Sequence, residues 1–393
     1  MNILKQKQFY LGIVVALVVL SVFGLAMMGS IAGAKPKNLP VALVVQDEPA
    51  AIPGGGTLAV GEMIKTKLGE EKQLPISWKT VASEAEARAG LDRQEYYGAL
   101  VLPANLSSGV LSAQSSAPKP PTVLILVNEG MSAQASGAVS QMLQQAMGGV
   151  RTALSQQLLG TIGKTAQQIP VQTATALLAP LQVQVEAVHP VGANQASGNA
   201  PGMLTQIGWI GSLVSCVFLF LATNQAVTRG GSRLSAVALQ TVGGVVIAAL
   251  LSGFIIWMAS GWYSMELADA TGTWLFLWFV MSLFFLLQST LLQWIGLPAM
   301  AILVLLMFFS MPLLNMAPEF LPQATQDWLY SWTPLRYAAG GLRNAMYFGG
   351  VEAASASTGA VLWSLAIVCL LGVLASGFKR RPARGPVANS DSH

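Results

Sequence analysis

The chain has 393 residues, of which 53% are hydrophobic and 10% charged, and its mean hydropathy is +0.57. An ordinary soluble domain carries about 25% charged residues, so this composition excludes a soluble enzyme, a disordered chain and a nucleic-acid binder. It predicts an integral membrane protein with some water-exposed mass, and the placement of the charges says more than the net value of +4.

A membrane-crossing helix needs about 20 mostly apolar residues. The first such run is 9–28, preceded by Lys5 and Lys7. Ala32-Gly33-Ala34 behind it resembles a signal-peptidase site. The apolar part of a signal peptide is only about 7–15 residues, however, so an uncleaved helix is expected. Residues 1–34 then form a cytoplasmic N-terminus and a first span.

Residues 35–203 contain no spanning run and carry as many acids as bases. They predict an extracytoplasmic α/β domain. Residues 39–46 are apolar enough for a buried strand, and Gly54-Gly55-Gly56 separates it from a helix over 58–68. A helix over 83–92 has Ser83 to cap it and Glu86 placed for a capping box. Strands are expected at 97–102, closed by Pro103, and at 122–128, after Pro118-Lys119-Pro120-Pro121. A Gln- and Ala-rich helical stretch over 132–168 reads as more than one piece, folded as a hairpin. The alternating run 181–188 reads as a last strand.

Five further spans are expected at 204–226, 234–258, 274–295, 297–314 and 360–376, giving six transmembrane helices with the α/β domain inserted between the first and second. The fifth is short, with Pro298 and Pro312 near its ends. Lys5, Lys7, Arg229, Arg233, Lys379, Arg380, Arg381 and Arg384 all fall on one side of this topology, and Glu266 and Asp269 fall on the other. Cytoplasmic loops carry the excess of Lys and Arg. Both termini, including a basic tail over 379–393, are therefore expected in the cytoplasm of a bacterial cell, with the large domain outside the cell membrane. The 204–378 region also contains an apolar stretch, 316–350, that reads as two re-entrant or surface helices. Leu335, Ala338, Ala339, Leu342 and Met346 share one face of its second piece, after Trp332, Thr333 and Pro334, and Arg336 and Arg343 share the other.

No catalytic constellation emerges. The two histidines, His189 and His393, cannot build a triad or a zinc site, and Cys216 and Cys369 sit in apolar runs as core residues. Gly163-Lys164-Thr165 ends like a phosphate-binding loop, but Leu158 stands where that pattern requires glycine. The chain is expected to be no enzyme and to hold no cofactor or metal. Polar residues within spans are costly. Asn224, Gln225, Gln288 and Gln293 are either a polar lining for a substrate path or helix–helix hydrogen bonding, and Gln240 belongs to the same set. Trp209, Trp257, Trp262, Trp274, Trp278, Trp294 and Trp363 read as aromatic belts.

The arrangement of one helix, a large outer domain and five helices resembles the ABC-2-type transporter permeases, and within them the phage-infection-protein (Pip/YhgE-like) group. Three stretches carry the likeness. One is Val188-His189-Pro190-Val191-Gly192-Ala193-Asn194, then Gly198-Asn199-Ala200-Pro201, leading into Ile207-Gly208-Trp209. Another is Tyr97-Gly98-Ala99-Leu100-Val101-Leu102-Pro103. The third is Leu321-Pro322, Trp332-Thr333-Pro334-Leu335-Arg336-Tyr337 and Gly341-Leu342-Arg343, similar to the family's re-entrant helices. The resemblance implies a homodimer or paired permease in the lipid bilayer, exporting a hydrophobic or amphipathic substrate. Energy would come from a separate ABC ATPase subunit that binds ATP and magnesium. It also implies that the turn around Arg229, Gly230, Gly231 and Arg233 couples to that subunit. The alternative from another class is a non-transporting scaffold or receptor whose outer domain binds envelope proteins or phage.

Overall fold

The structure, a computed structural model, describes residues 35–52, 55–71, 74–115, 117–162, 170–349 and 356–379. The expected first span and the basic tail beyond Lys379 lie outside the described residues.

An α/β unit comes first. Strand β1 (Leu39–Val45) is central, paired in parallel with β4 (Ile76–Val81) on one side and β5 (Gly98–Leu102) on the other. Strand β6 (Thr122–Asn128) runs antiparallel to β5, and β7 (Gln182–Val188) runs parallel to β6. The five-stranded order is β4-β1-β5-β6-β7, and β2 (Ala50–Ala51) with β3 (Thr57–Leu58) forms a separate ribbon. Side chains alternate across a strand, and β1 is apolar on both sides because both faces of the sheet are covered. Leu39, Val41 and Leu43 share a core with Val60 and Ile64 of α1 (Val60–Glu70), Leu106 of α3 (Leu106–Ser112) and Val139 and Leu143 of α4 (Ala133–Ile162). Ala42 and Val44 pack with Ala87 and Leu91 of α2 (Glu84–Asp92) on the opposite face.

The cap expected at Ser83 forms: its hydroxyl accepts from the Glu86 N–H, and the Glu86 carboxylate accepts from the Ala82 N–H. A second cap escaped the sequence reading. Asp47, just past β1, accepts from the Gly61 N–H at 2.7 Å, the Ser107 N–H at 2.7 Å and the Ser107 hydroxyl at 2.6 Å. One carboxylate thereby satisfies donors at the start of two helices. A Cβ on Gly61 would lie 2.5 Å from that of Asp47.

One sequence expectation changes here. The helical stretch after β6 is a single 30-residue helix, α4, before α5 (Val171–Leu178) packs back against it. The Gly163-Lys164-Thr165 segment lies outside the described residues. Strand β4 and helix α3 were not expected.

Four helices among the described residues are long and apolar enough to cross a membrane: α6 (Ala200–Thr228), α7 (Arg233–Gly261), α8 (Ala270–Ile295), and Thr358–Ser376 within α11 (Ala356–Ser376). The fifth expected span is α9 (Ala299–Asn315), whose 17 residues reach only about 25 Å, short of a hydrocarbon core of about 30 Å. Pro312 lies inside it. Helix α8 is the hub, in contact with α6, α7 and α11. The outward row Leu239, Val242, Val246 and Leu250 of α7 is exposed and apolar, as a lipid-facing surface requires. Two glycines set the helix spacing. A Cβ on Gly244 would lie 2.1 Å from the Phe285 ring, and one on Gly341 would lie 2.1 Å from that of Phe276.

Candidate functional site

The α/β unit sits on one end of the helices, and the connection is built from residues that the sequence reading had marked as motifs. After Thr333, helix α10 (Pro334–Tyr347) lies beneath the domain. Its expected apolar face is fully used: Leu335, Ala338, Ala339, Leu342 and Met346 are all buried. Its C-terminal turn meets the domain. Gln94 donates to the Asn344 amide oxygen at 2.6 Å, and the His189 ring lies 3.1 Å from the Tyr347 carbonyl. A helix bonded to the domain at Asn344 and Tyr347 forms a cap across that end of the bundle.

His189 is the pivot of this joint. It adopts φ of 51° just before Pro190, its ring lies 4.3 Å from that of Phe348 at a tilt of 37°, and its Nε2 lies 2.9 Å from an Asp92 carboxylate oxygen. Both polar neighbours are acceptors, so the two contacts are hydrogen bonds together only when both ring nitrogens carry protons. The loop that follows pairs with the α7–α8 connection. Glu266 N–H donates to the Ala193 carbonyl at 3.1 Å, Ala193 N–H to the Glu266 carboxylate at 3.0 Å, and Asn194 to the Ser264 carbonyl at 3.0 Å. Gln195 adds a further bond to the Glu266 carbonyl.

Tyr97, one residue before β5, is almost wholly buried, and its hydroxyl donates to the Glu319 carboxylate at 2.6 Å. Burial, with the neighbouring Glu319 charge behind it, pushes the phenol far above its ordinary pKa and keeps it a donor. Beside this pair lies a cavity of about 230 Å³ whose wall includes Tyr330, Arg336 and Arg343. The Arg336 guanidinium lies 4.1 Å from the Tyr330 ring and 4.0 Å from the Tyr337 ring. Trp328 and Trp332 stand exposed on the same segment. Pro334 begins α10.

The opposite end of the helices carries the basic turn. Arg229 to Ser232 connect α6 to α7 with no helix of their own, Gly230 taking φ of 103°. Arg229 is exposed. Arg233 is a structural clamp: its Nε donates to the Ser376 carbonyl at 3.0 Å and its Nη2 to Gln293 at 3.3 Å.

From Arg233 a line of polar groups runs between helices. Gln293 donates to Gln240 at 2.8 Å, and Gln240 donates to the Ser289 hydroxyl at 3.3 Å, which also lies 3.1 Å from the Cys216 sulfur. Gln288 donates to the Trp209 carbonyl at 3.2 Å, leaving its own buried oxygen without a partner. Gln288 and Gln293 thus sit buried among helices, while Asn224 is half-buried and Gln225 exposed at the end of α6. The seven tryptophans divide in the same way. Trp257, Trp262, Trp294 and Trp363 are exposed, but Trp209 is core, edge-on to Phe284, and Trp274 and Trp278 donate to carbonyls of α7.

None of the curated proteins compared with the chain matches it. A crystallised domain assigned to an ABC type-2 transporter of Thermotoga maritima MSB8 is similar over 38% of this chain and 84% of that one, with 15% identity and a TM-score of 0.27. The profile of a family described as protein of unknown function (DUF3533) matches residues 11–370, and the chain belongs to that family.

Proposed function

We propose that the chain is the membrane-embedded permease subunit of an ABC-2-type exporter. The observation that carries this reading is the opposition of the two ends of the bundle. A folded domain is clamped to one end, and a short, exposed, basic turn closes the other. Excess Lys and Arg mark the cytoplasmic side, so the turn would face the cytoplasm of a bacterial cell and the domain would lie outside. A first span over 9–28 and a short fifth span would bring the count to six. The finer likeness to the phage-infection-protein group rests on the sequence stretches alone.

ATP and magnesium would bind a separate ATPase subunit, and this chain would hydrolyse no nucleotide. Arg229 and the Gly230-Gly231 pair would receive the ATPase stroke, and Arg233 would pass it to α8 and α11 through Gln293 and Ser376. Working as a homodimer or with a second permease, the helices would alternate between inward- and outward-facing states. The apolar helices α6 to α9 and α11 hold no charged residue except Arg233 at the start of α7. That supports a hydrophobic or amphipathic cargo rather than an ion.

One feature favours the scaffold reading instead. Strand β7 is an open edge of the sheet with Val185 exposed, beside a groove of about 630 Å³ against α4. Co-purification from the native host separates the two. Recovery of an ATPase that is lost in Arg229→Glu supports the permease, whereas recovery of envelope proteins with no ATPase overturns it.

A further inference from the structure

The cavity between the domain and the helical cap contains more positive charge than its surroundings neutralise. Arg336 and Arg343 both line it, with Glu319 as the one acidic wall residue among the described residues, and the Glu319 carboxylate already accepts from Tyr97. Neither arginine forms an ion pair among the described residues. The Nε–H of Arg336 is buried and makes no hydrogen bond. Among the described residues Arg343 makes one hydrogen bond, from Nη2 to the Leu314 carbonyl at 3.3 Å. Desolvation holds its pKa below the ordinary value, and it is half-buried and lines the cavity. An arginine stays charged in any protein environment, and a charge taken out of water without a partner is costly. Planar N–H donors left open in this way match the oxygens of a phosphate or carboxylate.

We propose that this cavity is an anion-binding site that takes the phosphate group of a membrane lipid, held by the guanidinium groups of Arg343 and Arg336 that line it. The room is adequate: a water molecule occupies about 30 Å³ of liquid, and the cavity offers about 230 Å³. The location fits the lipid source, since Trp328 and Trp332 on the same segment stand exposed and tryptophan favours the headgroup layer. Bound anion would bridge α10, the 316–333 segment and the Tyr97 edge of the domain. The site is independent of the transport reading.

The test uses full-length protein in neutral detergent, stripped of lipid, with thermal unfolding followed during titration. The probes are short-chain phosphatidylglycerol, inorganic phosphate and a neutral alkyl glucoside. Phosphatidylglycerol should raise the wild-type melting temperature saturably. Its apparent affinity should fall at least tenfold in both Arg343→Gln and Arg336→Gln. Without lipid, Arg343→Gln should melt no lower than wild type, because the change removes an unpaired charge. If Arg343→Gln fails to fold, Arg336→Gln decides. An equal response to inorganic phosphate supports the anion site and makes free phosphate its source. Titrations unchanged in the variants, or an equal response to the neutral glucoside, overturn the proposal.

Discussion

Tyr97 and Glu319 stand 222 positions apart in the chain, yet the phenol of one donates to the carboxylate of the other at 2.6 Å. The Lys37 N–H adds a bond to the Glu319 carbonyl at 3.1 Å. The starts of the adjacent strands β1 and β5 are therefore fastened to the segment that follows α9. A bond to a charged acceptor contributes roughly 1.5–3 kcal/mol. Tyr97→Phe should lower stability by about that much and speed amide exchange over 317–321. Unchanged exchange there would mean that domain and cap do not hold each other.

Gly341 makes a second kind of fastening, a steric one. Gly341→Val should drive a side chain into the Phe276 ring and cost about 1–3 kcal/mol through overpacking. Phe276→Ala in the same chain should return part of that loss, because it opens the space. A double-mutant cycle on thermal stability measures the coupling, and additive effects would place the strain elsewhere.

Asp47 holds the domain from within. Asp47→Ala leaves the Gly61 and Ser107 donors at the starts of α1 and α3 without their acceptor. Loss of such a cap costs about 0.5–2 kcal/mol per helix end. Denaturant unfolding should show a loss toward the upper end of that range, and Asp47→Asn should retain part of it. A fall no larger in Asp47→Ala than in Asp47→Asn would show that the charge, not the acceptor, matters.

Arg88 grips Glu186 with two bonds, at 2.7 and 2.9 Å, and Glu84 at 2.8 Å, joining α2 to β7. Hydrogen bonding to Arg88 holds the Glu186 carboxyl below its ordinary pKa. A carboxylate depressed in the folded state adds stability above its unfolded pKa and loses it as pH falls through the folded value. Acidification through that range should therefore weaken the domain. Glu186→Gln should flatten the acid limb while costing less than about 1 kcal/mol at neutral pH, since both side chains are only half-buried and water screens the pair. An acid limb unchanged in Glu186→Gln would assign it to other carboxylates.

Much of the sheet was legible because β1, β5 and β6 are short apolar runs bounded by Pro, Gly or Asn, and Ser83 with Glu86 is a local signal. Strand β4 was not. It is an edge strand whose Lys79 and Thr80 are exposed, so it lacks a continuous apolar signature. Helix α4 read as fragments because Gly148 and Gly149 lie in its middle. Its sheet-facing Val139, Leu143, Met147 and Val150 keep one continuous face buried, and packing outweighs propensity. The joint was visible only as motifs. His189, Asn194 and Gly341 looked distinctive, but their partners Asp92, Ser264 and Phe276 are tertiary neighbours that no local pattern encodes. Arg229 and Arg233 looked equivalent for the same reason. Only the packed structure separates an exposed side chain from one bonded to Ser376 and Gln293.

That separation gives a prediction that divides folding from coupling. Arg233→Gln removes donors to the end of α11 and to Gln293, so it should lower the melting temperature of the solubilised protein. Arg229→Gln touches no such partner in α8 or α11 and should leave the melting temperature unchanged. If the turn receives the stroke of an ATPase, Arg229→Gln should nonetheless reduce ATPase activity in the purified complex, and Arg229→Lys should restore it by returning the charge. Loss of ATPase activity confined to Arg233→Gln, in step with its stability, would assign the turn a purely structural role. A charge at Arg229 that costs nothing to remove from the fold, but is needed for turnover, is what a surface kept for a cytoplasmic partner predicts.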